Sequence, residues 1–159
     1  MNKAFVCAVA AAGLLGCQGI AQGETPDRHK LVSPEDIEWR SGPPSLPQGS
    51  RMAVLYGDPG KEGLFAMRLR LPDGYHIPPH NHPRPEVVTI VSGTFKLGMG
   101  EKADRDKTHA LRSGSFFAVE PGHSHFAYTE GETVIQLNSF GPWSVTYVRD
   151  EDDPRKRTQ

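Results

Sequence analysis

The sequence predicts an all-β protein with a single domain, and three observations support this fold class. The chain has 159 residues, which suits one domain of ordinary size. It contains 17 glycines and 14 prolines, which favour the many turns that short strands require. Apolar residues recur with a period of two in several short runs, and no stretch keeps a helical period. Together these patterns indicate an antiparallel sandwich or barrel.

The individual strands are predicted from this period and from the turns between them. In residues 65–71, apolar side chains alternate with small or basic ones, as in a half-buried strand. Residues 86–91 and 94–99 are predicted to form a hairpin that turns at Ser92–Gly93. Further short strands are predicted at residues 116–119, 125–128, 134–137 and 145–148.

The segments on either side of the predicted barrel, residues 51–148, have a different composition. Residues 24–50 contain prolines that interrupt any long helix or central strand, so this segment is predicted to be irregular. Residues 149–159 form a charge run, which is predicted to be a solvated C-terminal tail.

The first residues are typical of an export signal. Lys3 precedes an apolar run at residues 4–15, which is shorter than a permanent membrane-spanning helix. Residues 1–23 are therefore predicted to be a signal peptide. The alternative is a lipoprotein signal, residues 1–16, because the residues before Cys17 resemble a lipobox. Both alternatives predict a protein of the periplasm or cell envelope.

Charge and cysteine content restrict the partners of the chain. The 18 basic and 19 acidic residues give a formal net charge of −1, which argues against a nucleic-acid binder. Cys7 and Cys17 both lie in the predicted leader, so the mature domain is expected to contain no disulfide and no thiolate ligand. The predicted partner is a small molecule, with a membrane contacted only through a lipid anchor at Cys17. A homodimer is left open.

Two stretches of the sequence predict a metal site. His80 and His82 are two residues apart in an extended segment and therefore project from the same face. Glu86 has the same parity, and two imidazoles with one carboxylate suit a divalent transition metal. His125, on a later strand, is a candidate fourth ligand. Surface histidines beside a proline turn would explain the H-x-H pair alone, but not the additional glutamate and histidine.

At these positions the sequence resembles the cupin superfamily. The first cupin motif places a glycine, H-x-H, a glutamate and a second glycine at set spacings, which are all met by Gly74, His80, His82, Glu86 and Gly93. The second motif is matched at Gly114, Gly122 and His125. Glu120 stands where the family usually has proline, and Thr129 replaces an asparagine. These two departures concern the turn and the strand after it, not the ligands.

The resemblance covers residues 51–148 and has consequences for fold and cofactor. It implies an antiparallel jelly-roll barrel around one divalent metal. The identity of this metal is left open among Fe, Mn, Zn, Ni and Cu. The implied ligands are His80, His82, Glu86 and His125. Their histidines would bind as neutral imidazoles and the glutamate as an anionic oxygen, leaving one or two positions for other molecules.

Other side chains near these motifs are candidates for a substrate pocket. The candidate pocket residues are His76, Arg84, His123 and Gln136, each of which is also explained as a loop, turn or strand residue. We expect Arg68 and Arg70 to face solvent; if their face were the interior, one of them would bind a carboxylate. The aromatic residues expected to pack in the core are Phe116, Phe126, Tyr128 and Trp143.

The family resemblance leaves the reaction open, because one fold can carry many chemistries. We expect a metal-dependent enzyme acting on a small oxygenated or carboxylic molecule, with dioxygenation first and decarboxylation or isomerisation second. A non-catalytic cupin that binds a small molecule or a metal is the alternative, because no acid or base clearly accompanies the ligands. The sequence contains no G-x-S-x-G, no P-loop and no dinucleotide fingerprint.

Overall fold

The computed structural model describes residues 29–156, whose strands are joined by antiparallel pairing. Nine strands occur in this part of the chain: β1 (Arg40–Ser41), β2 (Arg51–Tyr56), β3 (Gly63–Leu71), β4 (His76–Asn81), β5 (Glu86–Met99), β6 (His109–Arg112), β7 (Phe116–Val119), β8 (His125–Gly141) and β9 (Thr146–Tyr147). Short 3-10 turns lie at Pro34–Asp36, Arg105–Lys107, Asp150–Asp152 and Pro154–Lys156. Over the same residues, we find no helix with the length and apolar character needed to cross a bilayer.

The two longest strands, β5 and β8, organise the fold. They pair with each other from Val87 and Asn138 at one end to Met99 and His125 at the other. Along one half of this pair, β8 also pairs with β3 and β5 with β7; along the other half, β8 pairs with β4 and β5 with β6. The sheet therefore has two halves that share β5 and β8. The predicted all-β jelly-roll fold is confirmed.

The predicted hairpin at Ser92–Gly93 is wrong. β5 continues through these residues and stays beside β8, with register irregularities between Ile90 and Thr94. Gly93 has a φ of 78°, so the glycine bends the strand from one half of the sheet into the other instead of reversing it. The separate strands predicted at residues 125–128 and 134–137 are likewise parts of the single strand β8.

The hydrophobic core lies between the two halves of the sheet. Inward side chains include Met67 and Leu69 of β3, and Ile135 and Leu137 of β8. The alternating residues of β3 lie on its other face, where Arg68 Nε donates a 3.1 Å hydrogen bond to Gln136 Oε1 and Arg70 lies 4.4 Å from the centre of the Trp39 ring. The two arginines therefore do not reach the interior of the barrel.

The aromatic residues expected in the core have mixed positions. Phe126 is buried, and Trp143 is half-buried and packs against the core. Phe116 is 60% exposed, because on β7 the inward parity belongs to Phe117. Tyr128 is half-buried and stacks on His76 instead of entering the core.

The flanking segments pack on the barrel more closely than their composition suggests. The described part of the irregular N-terminal segment includes Leu46, which is buried in the core. The prediction of a solvated C-terminal tail is only partly right, because Asp153 is buried and bonded to Arg155. A charge run is compatible with burial when the buried charge has a charged partner. The predicted leader, residues 1–23, lies outside the described residues.

We expect that alanine at Gly93 will destabilise the fold more than alanine at Gly114. Both glycines have positive φ, so both substitutions introduce backbone strain of about 1–2 kcal/mol. At Gly93 the new Cβ would also contact the Glu132 carbonyl oxygen and lie 2.8 Å from Thr133 Cα, whereas at Gly114 it would meet nothing within 4 Å. Urea unfolding of Gly93→Ala and Gly114→Ala measures the difference. Equal losses in unfolding free energy would contradict the proposed role of Gly93 at the bend.

Candidate metal centre

The predicted metal ligands are brought together by strand ends and one loop. His80 lies near the end of β4 and is the direct cross-strand partner of His125, the first residue of β8. Glu86 is the first residue of β5. His82 follows β4, in the proline-containing loop that leads to β5. Residues that are up to 45 positions apart (125 − 80) thus meet at one place.

The three histidines form a compact, buried cluster. One ring nitrogen from each of His80, His82 and His125 lies within 4.8 Å of the other two. Glu86 is buried beside two of these rings: its Oε2 is 3.0 Å from Nε2 of His125, and its Oε1 is 3.8 Å from Nε2 of His82. A cluster of this kind could bind a metal ion.

Backbone carbonyls set the orientation of all three rings. The Nδ1 atom of His80 lies 2.7 Å from the Pro78 carbonyl, that of His82 lies 2.8 Å from the Ser144 carbonyl, and that of His125 lies 3.1 Å from the His123 carbonyl. A carbonyl only accepts hydrogen bonds, so each Nδ1 must carry the proton. In a neutral ring this leaves a lone pair on Nε2, as in histidines that bind metals.

Two buried atoms of the cluster have no hydrogen-bond partner with good geometry among the described residues. These atoms are Nε2 of His82 and Oε2 of Glu86. Burying such atoms without a partner is costly, and a bound cation would satisfy both of them. The nitrogen and carboxylate donors also suit a divalent transition metal. The residues present therefore fit the group that the sequence predicts.

Burial and mutual contacts shift the pKa values of the cluster. Burial lowers the pKa of His80 to about 3, and the neighbouring His125 and His82 act in the same direction. Burial also lowers the pKa of His82. For His125, contact with Glu86 outweighs burial and raises the pKa; for Glu86, the three histidines outweigh burial and lower the pKa. In the metal-free site, the pair of His125 and Glu86 is therefore the place where a proton binds most favourably. A metal ion bound by the same atoms should displace this proton.

The histidine cluster lies in the wall of a cavity of about 360 Å³. Most of its other lining side chains are apolar and include Met52, Met67, Ile77, Phe95, Leu137 and Trp143. Apart from the predicted ligands, the charged residue that lines it is Asp58, and no lysine or arginine of the described chain does so. The cavity therefore suits a small, largely apolar molecule with polar atoms directed at the histidines.

The four predicted pocket residues do not line this cavity. Gln136 and His76 have the opposite strand parity from Leu137 and Ile77, which do line it. Gln136 is bonded to Arg68 on the other face, and His76 stacks on Tyr128 with ring centres 4.3 Å apart. Arg84 and His123 are exposed. Proximity in sequence to the ligands did not determine which way these side chains point.

Two residues of the site were not found from the sequence as site residues. Trp143, predicted only as a core residue, stacks on His82 with ring centres 4.1 Å apart. Ser144 accepts the hydrogen bond from His82 through its backbone carbonyl. A backbone contact between residues 62 positions apart leaves no signal in side-chain pattern or spacing.

Comparison with known proteins assigns the chain to a family. A family model described as a domain of unknown function (DUF4437) matches residues 19–146. The chain belongs to this family. Its relatives and its fold make it a member of the cupin superfamily, which confirms the resemblance seen in the motifs.

The curated relatives of this cupin are plant germin-like proteins. Germin-like protein 3-1 of Oryza sativa subsp. japonica is 35% identical over 87 residues, which are 51% of this chain and 39% of that protein. Germin-like protein subfamily 2 member 1 of Arabidopsis thaliana is 34% identical over 71 residues, 44% of this chain and 32% of that protein. The chain thus spans less than half the length of these relatives.

Solved structures with the same fold include proteins of different activities. The polyketide cyclase RemF from Streptomyces resistomycificus has a TM-score of 0.65 at 18% identity, covering 80% of this chain and 91% of that chain. The DMSP lyase DddQ from Ruegeria pomeroyi has a TM-score of 0.56 at 18% identity, with coverages of 77% and 73%. An RmlC-like cupin from Shewanella frigidimarina has a TM-score of 0.53 at 17% identity, with coverages of 76% and 93%. At these identities the similarity shows the fold.

We expect His80 to make the metal-free protein less stable as the pH falls below about 6.5. The unfolded chain takes up a proton at His80 near its ordinary pKa, whereas in the fold this residue stays neutral down to about 3. Between these values the unfolded state binds more protons, so this residue lowers the unfolding free energy by up to about 1.4 kcal/mol per pH unit. The raised pKa of His125 acts in the opposite direction, adding stability at low pH that is lost as pH rises.

Urea unfolding of the metal-free protein at several pH values measures this dependence. Because His80 and His125 change the stability with pH in opposite directions, the test compares variants with the wild type and does not rely on the pH dependence of the wild type alone. His80→Gln should flatten the loss of stability toward acid pH, and the exposed His109→Gln should leave it unchanged. An unaltered pH dependence in His80→Gln would count against a neutral, buried His80.

Proposed function

We propose that this protein is a metal-dependent enzyme that acts on a small, largely apolar molecule at a single divalent metal. The metal would be held by His80, His82, Glu86 and His125. The observation that carries the proposal is the convergence of three buried imidazoles, each with Nδ1 bonded to a carbonyl, in the wall of a largely apolar cavity.

The chain supplies binding and orientation, and the metal supplies the reactivity. A redox-active ion would support reactions with dioxygen, whereas zinc would act only as a Lewis acid. With four protein ligands, a metal held there would keep one or two coordination positions for other molecules. The apolar walls formed by Met67, Ile77 and Leu137 would hold the body of the substrate and exclude water. Since no cationic side chain of the described chain lines the cavity, a carboxylate or other oxygen of the substrate would have to reach the metal itself.

Dioxygenation is the reaction we place first, with decarboxylation or isomerisation second. Apart from the predicted ligands, Asp58 is the carboxylate among the described residues that line the cavity, and it is already paired with Lys61 at 3.1 Å. Chemistry centred on the metal is therefore favoured over general acid–base chemistry by side chains. The cyclase and the lyase that share the fold support an enzymatic role for a cavity of this kind.

A non-catalytic binding protein is the second candidate. The scarcity of proton-transfer groups in the cavity is the observation that favours it. It differs from the enzyme in one measurable way: it would bind a small molecule at the metal without converting it.

The identity of the functional metal tests the proposal. We expect protein purified without chelators to contain one divalent metal per chain by elemental analysis. We expect exchange series with Fe, Mn, Ni, Cu and Zn to show dioxygen uptake with phenols, diketones or keto acids only for redox-active ions. Activity that is full with zinc and not improved by the other ions would exclude dioxygenation in favour of Lewis-acid chemistry.

Ligand variants provide the control for this experiment. His80→Ala, His82→Ala and Glu86→Ala should each weaken metal binding strongly, while His109→Ala, an exposed histidine, should not. Unchanged metal content in all three ligand variants would refute the site. Metal binding with no conversion of any small molecule bound at the metal would support the binding protein.

We also propose that the protein is exported to the periplasm or cell envelope, on the basis of residues 1–23. If Cys17 carries a lipid, wild-type protein should fractionate with membranes and Cys17→Ser should become soluble. Cys7→Ser, which changes the other cysteine of the leader, is the matched control. Membrane partition that is unaffected by Cys17→Ser would exclude the lipid anchor and favour ordinary cleavage of the signal peptide.

A further inference from the structure

The three histidines of the cluster are not oriented in the same way. His80 and His125 bond their Nδ1 atoms to carbonyls two residues earlier in their own segments, at Pro78 and His123. His82 lies outside the strands, and its Nδ1 is bonded to Ser144, which is 62 positions away. The orientation of the His82 ring therefore depends on a distant part of the chain.

This distant part is residues 143–156, which we call the C-terminal strap. At its start, Trp143 stacks on the His82 ring with an interplanar angle of 21°. The next residue, Ser144, accepts the hydrogen bond from His82, and Val145 then lines the cavity. The strap thus contacts the ring of His82 both from its face and at its edge nitrogen.

The far end of the strap is fastened to its own beginning. Arg155 donates a hydrogen bond from Nη2 to the Val145 carbonyl at 2.9 Å. The same guanidinium is held by the buried carboxylate of Asp153, through Nε at 2.7 Å and Nη2 at 2.8 Å. The paired hydrogen bonds fix the plane of the guanidinium. The guanidinium in turn holds the carbonyl of the Val145–Thr146 peptide, which is adjacent to the Ser144–Val145 peptide whose carbonyl contacts His82.

Other contacts hold the middle of the strap on the barrel. Tyr147 pairs with the His80 backbone and donates a 2.7 Å hydrogen bond from its hydroxyl to the Ser45 carbonyl. Val148 N donates to the Pro79 carbonyl at 2.9 Å. The strap is therefore a packed element that several hydrogen bonds hold on the barrel, not a loose tail.

We propose that Arg155 and Asp153 are positioning residues for the metal site, acting on the His82 ring through the Val145–Thr146 peptide and the adjacent Ser144–Val145 peptide. The proposal rests on the proposed function, because it requires a metal bound by His82. The side-chain hydrogen bonds that the structure shows for these two residues are with each other and with the Val145 carbonyl, not with the ligands. Groups that bond directly to a metal-binding histidine commonly change metal affinity by about 10- to 100-fold, so the indirect contact is expected at the lower end of this range.

The test is Co²⁺ titration of the metal-free protein, followed by the visible absorption of the bound ion. Arg155→Gln should weaken Co²⁺ binding about 10-fold and alter the absorption spectrum, because the backbone that carries the Ser144 carbonyl is held less firmly and the His82 ring is oriented less accurately. Lys156→Gln is the matched control: it removes a positive charge from the same turn, but the side-chain ion pair of Lys156 is with the exposed Asp150, at 2.7 Å, and not with the Val145 carbonyl. This control should bind Co²⁺ like the wild type.

A double-mutant cycle separates positioning from general destabilisation. In the His82→Ala background, Arg155→Gln should cause no further loss of Co²⁺ affinity, because the ring through which Arg155 acts is absent. An equal loss with and without His82 would overturn the proposal and assign Arg155 a purely structural role. Wild-type affinity and spectrum in Arg155→Gln would overturn it as well.

The remaining outcomes are also decisive. If metal-free Arg155→Gln does not fold, Arg155→Lys replaces it, since lysine keeps the charge but loses the planar pair of donors. Unchanged affinity in Arg155→Lys would then overturn the proposal, and weakened affinity that depends on His82 would support it. Absence of Co²⁺ binding by the wild type would refute the proposed function and this inference together. Normal wild-type binding with an unaffected Arg155 variant would refute this inference alone.

Discussion

The burial of three imidazoles around one centre is the constraint on which the rest of the site depends. His80, His82 and His125 are removed from water, so they resist protonation unless a carboxylate stands beside them. Among the described residues, Glu86 is the carboxylate beside them, and it is itself buried. The arrangement is satisfied in two ways, by a proton shared between His125 and Glu86 or by a divalent cation. A shared proton leaves Nε2 of His82 without a partner, whereas a cation would satisfy this atom together with Glu86 and His125, so the cation is the better match to this geometry.

The two long strands β5 and β8 explain why the ligands can be held so closely. Each runs through both halves of the sheet, so the start of β5 and the start of β8 are fixed relative to the whole core. Glu86 and His125 are the first residues of these strands. The bend at Gly93 allows β5 to leave the site along one half and return to it along the other, beside β8. Rigid strands place catalytic groups more accurately than loops do.

His82 is the exception, because it comes from a loop. Its ring is oriented by Trp143 and Ser144, so the accuracy of the site at this ligand is set by how firmly residues 143–156 are held. The buried Asp153 has a lowered pKa because of its hydrogen bonds with Arg155, and the pair stays charged at neutral pH. The ion pair between Asp153 and Arg155 thereby connects to the His82 ring through two adjacent peptide groups.

Local pattern in the sequence was sufficient for the fold class and for the composition of the histidine cluster. The period of two and the frequent turns are properties of residues that are close in sequence. The set of candidate ligands was recognised from the spacing of two recurrent motifs, which contain His80, His82, Glu86 and His125. The orientation of individual side chains was harder to predict from the sequence. Gln136 and His76 lie on the strand faces that point away from the cavity. On β7, Phe116 points outward and its neighbour Phe117 points inward.

Features that depend on contacts between distant residues were decided by the tertiary structure. Gly93 is equally suited to a hairpin turn and to a bend, and only the partner strand β8 determines which one forms. The apolar lining of the cavity arises because β2, β3, β4, β5 and β8 contribute to it together, which no single strand reveals. The carbonyls that orient the rings, above all that of Ser144, belong to the backbone, which is chemically the same at every residue. The sequence by itself therefore determined which side chains can bind a metal, and the fold decided which of their atoms face it.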